Sequence, residues 1–205
     1  MQRMADAGAL VGCLRSVQRL LDLGFDGFGH DGFARPVRAF VVRTEDVKNP
    51  AGNQDGLRPP GVSLWPYRVG LNRAVRSAWS AVGHVDGRVH LPVDLHFLLT
   101  PWGDNGDDEL LVLGRAMLTL EANPILLGPR LDPSAAWAAA EALQIVCADA
   151  ESDGVATLFD ATDAPFKVSV PYIARVVRLE TAAAQGGDDV GTVLTGVTAT
   201  ARGAP

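Results

Sequence analysis

Two histidines and an aspartate at alternate positions of one apolar stretch come closest to a reactive site in this sequence. His90, Asp94 and His96 are even-numbered positions of the strand-like segment 88–100, so they share one face. Two histidines with one carboxylate form a known ligand set for ferrous iron. The span from His90 to His96 is about 20 Å, whereas Asp94 and His96 are about 7 Å apart. Only Asp94 and His96 can readily share an ion, and a half-solvated polar face of a strand explains the same pattern.

The acidic turn DNGDDE, residues 104–109, is a second candidate, because carboxylate oxygens bind calcium. An EF-hand loop needs alternating ligands around a glycine at its sixth position and a distant glutamate, and this run has neither. Negative charge at Asp107 and Asp108 is also favoured at the start of a helix, through capping and through the helix dipole. We therefore expect a helix to begin at this turn and expect no metal there.

Local motifs for catalysis are absent from the sequence. The patterns GxxxxGK[ST], HExxH and GxSxG do not occur, and no motif ties a histidine to a serine or cysteine nucleophile. The glycine-rich stretch GFDGFGHDGF, residues 24–33, follows a helix, whereas a dinucleotide-binding loop leaves a strand and opens a helix. We predict no catalytic residue, no cofactor and no enzymatic activity.

Composition limits the class of protein further. A chain of 205 residues with 47% hydrophobic side chains can bury one sizeable core, so we expect one main domain. Cys13 and Cys147 are far apart and form no CxxC pattern, so neither a disulfide framework nor a cysteine zinc site is predicted. Arg15 and Arg19 interrupt the first apolar run, which argues against a signal peptide or membrane insertion. A net charge of −6 argues against nucleic-acid binding.

The charges are distributed unevenly along the chain. Residues 35–88 contain nine Lys or Arg against four Asp or Glu, whereas residues 104–163 contain two Arg against twelve Asp or Glu. In a single domain this asymmetry predicts a surface with a positive side and a negative side.

Apolar periodicity predicts the elements that hold these residues. The predicted helices and strands, in chain order, are a helix over 10–21, strands over 37–44, 63–69 and 88–100, a helix over 110–120, an alanine-rich helix over 133–143, a strand over 143–149, a short helix from 152 and a strand over 166–180. The helix over 110–120 is expected to bury a wide apolar face that includes Leu110, Leu111, Gly114 and Leu118. We predict an α+β fold, a mostly antiparallel sheet packed with a long central helix and an N-terminal helix. Residues 1–180 form the predicted domain, and residues 181–205 form a predicted flexible tail.

Several segments together resemble a known family. These segments, in their order and spacing, are ADAGALVGCLRSVQRLL (5–21), GVSLWPYRVGLNRAVR (61–76), LPVDLHFLLTPWG (91–103), ELLVLGRAMLTLEANPIL (109–126) and PFKVSVPYIARVV (165–177). They are similar to the cap, or tail-terminator, proteins of antifeeding-prophage-like extracellular contractile injection systems. The stretch VLGRAMLTLEANPIL is the most specific of them.

The resemblance implies a structural subunit without catalytic residues. Such a subunit assembles as a homohexameric ring that ends the inner tube and the sheath and joins them. Its expected location is a particle that is assembled in the cytoplasm and released from the cell. With the charge asymmetry, this makes six residues candidates for protein interfaces: Arg68, Arg73, Arg76, Trp102, Asp107 and Asp108. The alternative is a small metal-binding protein or metalloenzyme that uses Asp94 and His96, with His30 or His84 as a further ligand.

Overall fold

A computed structural model describes residues 8–26, 33, 35–50, 57–79, 90–138, 140–148 and 152–180 of this chain. The helices are α1 (Ala9–Phe25), α2 (Thr44–Lys48), α3 (Arg73–Trp79), α4 (Gly106–Glu121) and α5 (Ser152–Thr162), with a 3-10 turn at Gly128–Arg130. The strands are β1 (Arg38–Val41), β2 (Gly61–Leu71), β3 (His90–Trp102), β4 (Ile125–Leu127), β5 (Ala142–Cys147) and β6 (Val170–Glu180). None of the described helices is long and apolar enough to cross a membrane.

The strands form one six-stranded sheet in the order β1-β2-β3-β6-β5-β4. Strand β1 is parallel to β2, and the pairs described for the other neighbouring strands are antiparallel. Strands β2 and β3 form the longest ladder, from Gly61 opposite Trp102 to Leu71 opposite Val93. The prediction of an α+β fold with a mostly antiparallel sheet is therefore confirmed.

Helices α1 and α4 cover one face of the sheet. Leu64, Phe97 and Leu99 point from the sheet into this core and are completely buried. Val17 of α1 and Val112 of α4 are buried against the same cluster. Because α1 has 17 residues and α4 has 16, the predicted N-terminal helix is present, but a single long central helix is not confirmed.

A second, smaller core on the opposite face of the sheet was not predicted. Its centre consists of Trp65, Leu98 and Trp102 from the sheet and Phe159 from α5. Trp65 and Phe159 pack with their ring centroids 5.8 Å apart. Because both faces are covered at this end of β3, the expected alternation of apolar and polar residues breaks down at Leu98, which is completely buried.

Pro66 has the position that its chemistry requires. The parallel ladder uses the carbonyl oxygens of Pro60 and Leu64, which accept hydrogen bonds from the backbone N–H groups of Arg38 and Val42. Pro66 is the next residue of β2 whose backbone would face β1. It lies beyond the end of β1, so its missing N–H breaks no bond to that strand. The register of β2 against β3 also shifts between Pro66 and Arg68, which marks a bulge or irregularity there.

The prediction of an alanine-rich helix over 133–143 is wrong. Residues 133–138 form a turn and irregular chain instead. The indole N–H of Trp137 donates to the carbonyl oxygen of Asp132 at 2.6 Å, and the side chain of Asp132 accepts from the backbone N–H of Ser134 at 2.9 Å. The backbone N–H of Asp132 also donates to the hydroxyl of Ser16 of α1 at 2.7 Å, so local bonds and tertiary contact together override helix propensity. The predicted tail, residues 181–205, lies outside the described residues, and the domain boundary at residue 180 stays a prediction.

Candidate assembly surfaces

The three candidate arginines lie on the second half of β2 and on the helix that follows it. Arg68 of β2 lies opposite His96 of β3, and β2 continues into α3, which carries Arg73 and Arg76 on its exposed surface. Asn72 joins the two elements. Its side-chain oxygen accepts from the backbone N–H of Val75 at 3.1 Å, as a helix N-cap does.

Asp94 fixes this N-cap. The side-chain amide of Asn72 donates to the two carboxylate oxygens of Asp94 at 3.0 and 3.2 Å. In addition, the backbone N–H of Asn72 donates to the carbonyl oxygen of Pro92 at 3.0 Å. The polar face of β3 therefore positions α3 and the two arginines on it.

The candidate aspartates lie where β3 ends and α4 begins. Asn105 is the N-cap of α4, because its side-chain oxygen accepts from the backbone N–H of Asp108 at 2.9 Å. The expectation that Asp107 or Asp108 caps the helix is corrected accordingly. Both belong to the first turn, where negative charge interacts favourably with the helix dipole. Asp107 is exposed, and Asp108 is half-buried.

The candidate arginines and the candidate aspartates lie apart along the sheet. Arg68 is paired with His96, and Trp102 lies six positions after His96 on β3. The chain then turns into α4. At about 3.3 Å per residue, Arg68 and the beginning of the acidic turn are therefore about 20 Å apart along the sheet. Arg68 is thus well separated from the acidic turn along the sheet, whereas Arg38 of the basic segment lies opposite Gly61, beside Trp102 and the acidic turn.

Trp102 is part of the core, not of the surface. Only 7% of the residue is exposed, and its indole N–H donates to the hydroxyl of Ser63 at 2.9 Å. The ammonium group of Lys167 lies 4.6 Å from the centre of the ring and also pairs with Glu109 of α4. Any influence of Trp102 on an interface is therefore indirect, through the position of Lys167 and of the first turn of α4.

Asp94 and His90, two of the residues considered for metal binding, have protein partners. Asp94 is bonded to Asn72, whereas Nδ1 of His90 lies 3.0 Å from a carboxylate oxygen of Glu180. Burial lowers the pKa of His96, and the positive charge of the neighbouring Arg68 lowers it further. In the described part of the chain, no group of three His, Cys, Asp or Glu side chains could hold a metal ion. His30 and His84 lie outside the described residues.

An apolar outer face on α4 was missed. The sequence interpretation assigned Leu110, Leu111 and Leu118 to the core, but they are 59%, 47% and 68% exposed. The helix buries its opposite side instead, through Val112, Leu113, Ala116 and Leu120. A helical-wheel plot of α4 would have revealed this face, because apolar residues lie on more sides of the helix than one sheet can cover.

An apolar groove between α1 and the sheet was also missed. Its volume is about 670 Å³, and it lies beyond the end of β1, where β2 continues without that neighbour. Its apolar lining comes from both layers and includes Val11, Leu14, Val41, Pro66, Val69 and Leu95. Because these residues come from α1, β1, β2 and β3, the groove has no signature in any one segment of the sequence.

The described chain therefore presents an α+β domain with separated basic and acidic candidate residues and unfilled apolar surface, which are features of a protein that works through contacts. Residues 15–190 match the family model described as the Pvc16 N-terminal domain, and the chain belongs to this family. A comparison with curated proteins gave no match.

Two solved structures are similar to this chain. One is the sheath/tube terminator of an extracellular contractile injection system, PVC, in the extended state. Its sequence is 16% identical to this chain, and the alignment covers 94% of this chain and 64% of that chain, with a TM-score of 0.49. The other is the tube-terminating cap of the anti-feeding prophage. Its sequence is 14% identical to this chain, and the alignment covers 91% of this chain and 60% of that chain, with a TM-score of 0.51. The second match shows a shared fold. This chain spans less than two thirds of the length of either protein.

Proposed function

We propose that this protein is the terminator of a phage-tail-like contractile injection system. Copies of the chain form a homohexameric ring at the end of the particle, stop the growth of the inner tube and the sheath, and join the two. Membership of the Pvc16 N-terminal domain family supports this proposal, and so does the fold shared with the anti-feeding prophage cap. The protein acts through contacts without catalysis or a cofactor, is assembled in the cytoplasm, and leaves the cell on the released particle.

The observation that carries the proposal is the separation of opposite charges along the sheet. A closed ring requires heterologous contacts, in which one surface of a subunit meets a different surface of the next. A domain that presents candidate arginines and candidate aspartates on separate parts of its surface meets this requirement, since opposite potentials attract and the reversed orientation repels. Arg68, Arg73 and Arg76 of one copy thus face Asp107 and Asp108 of the next.

Capping of tubes in solution tests the function directly. Purified inner-tube subunits are polymerised with increasing amounts of this protein, and tube lengths are measured by negative-stain electron microscopy. The wild-type protein is expected to shorten the tubes and to appear as a ring at one end. Tubes of unchanged length at saturating protein would overturn the proposal.

A matched pair of charge reversals shows whether the candidate arginines carry this activity. Arg73 and Arg76 are changed to Glu in one variant, and Arg35, an exposed residue ahead of β1, is changed to Glu in the control. The double reversal is expected to abolish rings, because it places negative charge against the aspartates of the neighbour. The Arg35→Glu control is expected to cap tubes as the wild type does.

A further inference from the structure

We propose that the outer face of α4 in one copy docks into the groove between α1 and β2 of the next copy. This inference rests on the proposed function and names the apolar contact that accompanies the charge contact. The partner is a second copy of this chain, and the contact is a helix seated in a groove.

The outer face of α4 has the spacing of a docking helix. At 3.6 residues per turn, Leu111, Gly114 and Leu118 lie within an arc of about 60°. Leu111 and Leu118 are 47% and 68% exposed, and a Cβ at Gly114 would meet nothing within 4 Å. The two leucines lie about two helical turns apart, with an exposed glycine between them. This arrangement allows a partner to approach the helix backbone closely.

The groove offers a complementary surface. Its floor includes Leu14 and Leu95, which are 5% and 3% exposed, whereas the rim residues Val11, Val41 and Val69 are 53%, 42% and 51% exposed. Such a rim gains burial only if another surface covers it. A volume of about 670 Å³ has room for several apolar side chains of a helix.

A helix fits this groove better than an added strand does. A strand would have to bond to the edge of β2 beyond β1, and the first position available there is Pro66, which has no N–H. The bulge between Pro66 and Arg68 then shifts the register of β2. The groove therefore presents side chains more readily than backbone donors.

Charge favours a second copy as the occupant. Arg15 lines the groove and is exposed, whereas Arg43, which also lines it, is paired with Asp46 at 3.2 Å. The outer face of α4 begins with the exposed Asp107, one turn ahead of Leu111. Acidic and apolar surface on α4 thus meets basic and apolar surface at the groove. The two surfaces share no residue, so each copy offers both at once, as a ring requires.

Disulfide trapping between two variants tests the contact. Leu118→Cys and Val69→Cys are made separately with Cys147→Ser, and the assembled mixture is oxidised. Cys13 stays in place because it is buried, and burial raises the pKa of its thiol to about 12. The control is Leu23→Cys, at a site on α1 that is 70% exposed, mixed with Val69→Cys. We expect at least a fivefold excess of cross-linked dimer for the pair with Leu118→Cys. Rings that give equal yields with both pairs would overturn the inference.

Compensating charges separate this inference from the function itself. Leu118→Glu and Val69→Lys each place a charge in the proposed contact and are expected to abolish rings, whereas the double variant restores them. Circular dichroism is expected to show the wild-type fold for all three, since both sites are exposed. If the single variants form rings and cap tubes as the wild type does, the docking contact is wrong and the proposed function stands. If the wild-type protein does not cap tubes, the proposed function fails.

Discussion

The side-chain amide of Asn72 donates to the carboxylate of Asp94 at 3.0 and 3.2 Å, and this pair attaches α3 to the polar face of β3. The same Asn72 caps α3 through the backbone N–H of Val75. Asp94 therefore has a structural task, because both oxygens of its carboxylate accept from the amide of Asn72.

Asp94→Ala is expected to lower the free energy of unfolding by about 1–2 kcal/mol, because it removes a charged acceptor from a half-buried amide. Asn72→Ala is expected to cost a similar amount, and the double variant is expected to cost less than the sum, because both changes break one interaction. Urea unfolding measures all three. A chelator is expected to change none of the values. Stoichiometric iron or zinc in the wild type that is lost in Asp94→Ala would contradict this account and favour the metal-binding alternative.

Gly12→Ala is expected to lower the free energy of unfolding by about 1–3 kcal/mol, the usual cost of overpacking a core. A Cβ at Gly12 would lie 2.9 Å from Cζ2 of Trp137 and would also collide with Ala135. Gly114→Ala is the matched control, because a Cβ there meets nothing within 4 Å. In the exposed interior of a helix it is expected to raise stability by up to about 1 kcal/mol. Thermal unfolding of the monomeric protein distinguishes the two, and equal effects would mean that α1 does not pack against 135–137.

Trp102→Ala is expected to destabilise the fold by about 3–5 kcal/mol, because it opens a cavity in the second core. Trp102→Phe keeps most of that volume but loses the hydrogen bond to Ser63, so it is expected to cost about 1 kcal/mol. Denaturant unfolding gives both values. A Trp102→Ala protein that keeps wild-type stability but fails to form rings would instead place the indole in an interface.

Glu141→Gln is expected to stabilise the protein increasingly as the pH rises. Burial raises the pKa of Glu141 above its ordinary value of 4.5, more than the bond from the backbone N–H of Ala138 and the charge of Arg178 lower it. Because the pKa of Glu141 is higher in the folded than in the unfolded protein, ionisation of this carboxyl opposes folding. The resulting loss of stability grows as the pH rises through 4.5 toward the folded pKa. The glutamine retains an acceptor for Ala138 and cannot ionise. Unfolding curves between about pH 4 and pH 7 should therefore diverge in favour of the variant. A difference that is constant with pH would contradict this.

The sequence predicted the elements whose two sides differ clearly. Helix α1 and strand β3 have strong periodicities of 3.6 and 2, so their existence and most of their buried residues followed from apolar spacing. The basic and acidic segments were also visible as charge counts. That Arg68 lies about 20 Å from the acidic turn along the sheet followed only from the register of β2 and β3.

The errors have physical causes in tertiary structure. Leu98 and Trp102 were not recognised as one cluster, because the partners that bury them, such as Phe159, come from a helix distant in the chain. The turn at 133–138 depends on a hydrogen bond from Trp137 to Asp132 that no helix propensity expresses. The outer leucines of α4 look like core residues in sequence, since a surface kept for a partner has the same composition as a core.

Electron microscopy of particles assembled without this protein tests the central claim most directly. If copies of this chain close into a ring that ends the tube and the sheath, particles from a deletion strain should have tubes and sheaths of variable, extended length and no cap. Restoring the wild-type protein, but not the Arg73→Glu, Arg76→Glu double variant, should restore one narrow length. Particles of normal and uniform length, with tube and sheath joined at both ends in the absence of the protein, would contradict the account.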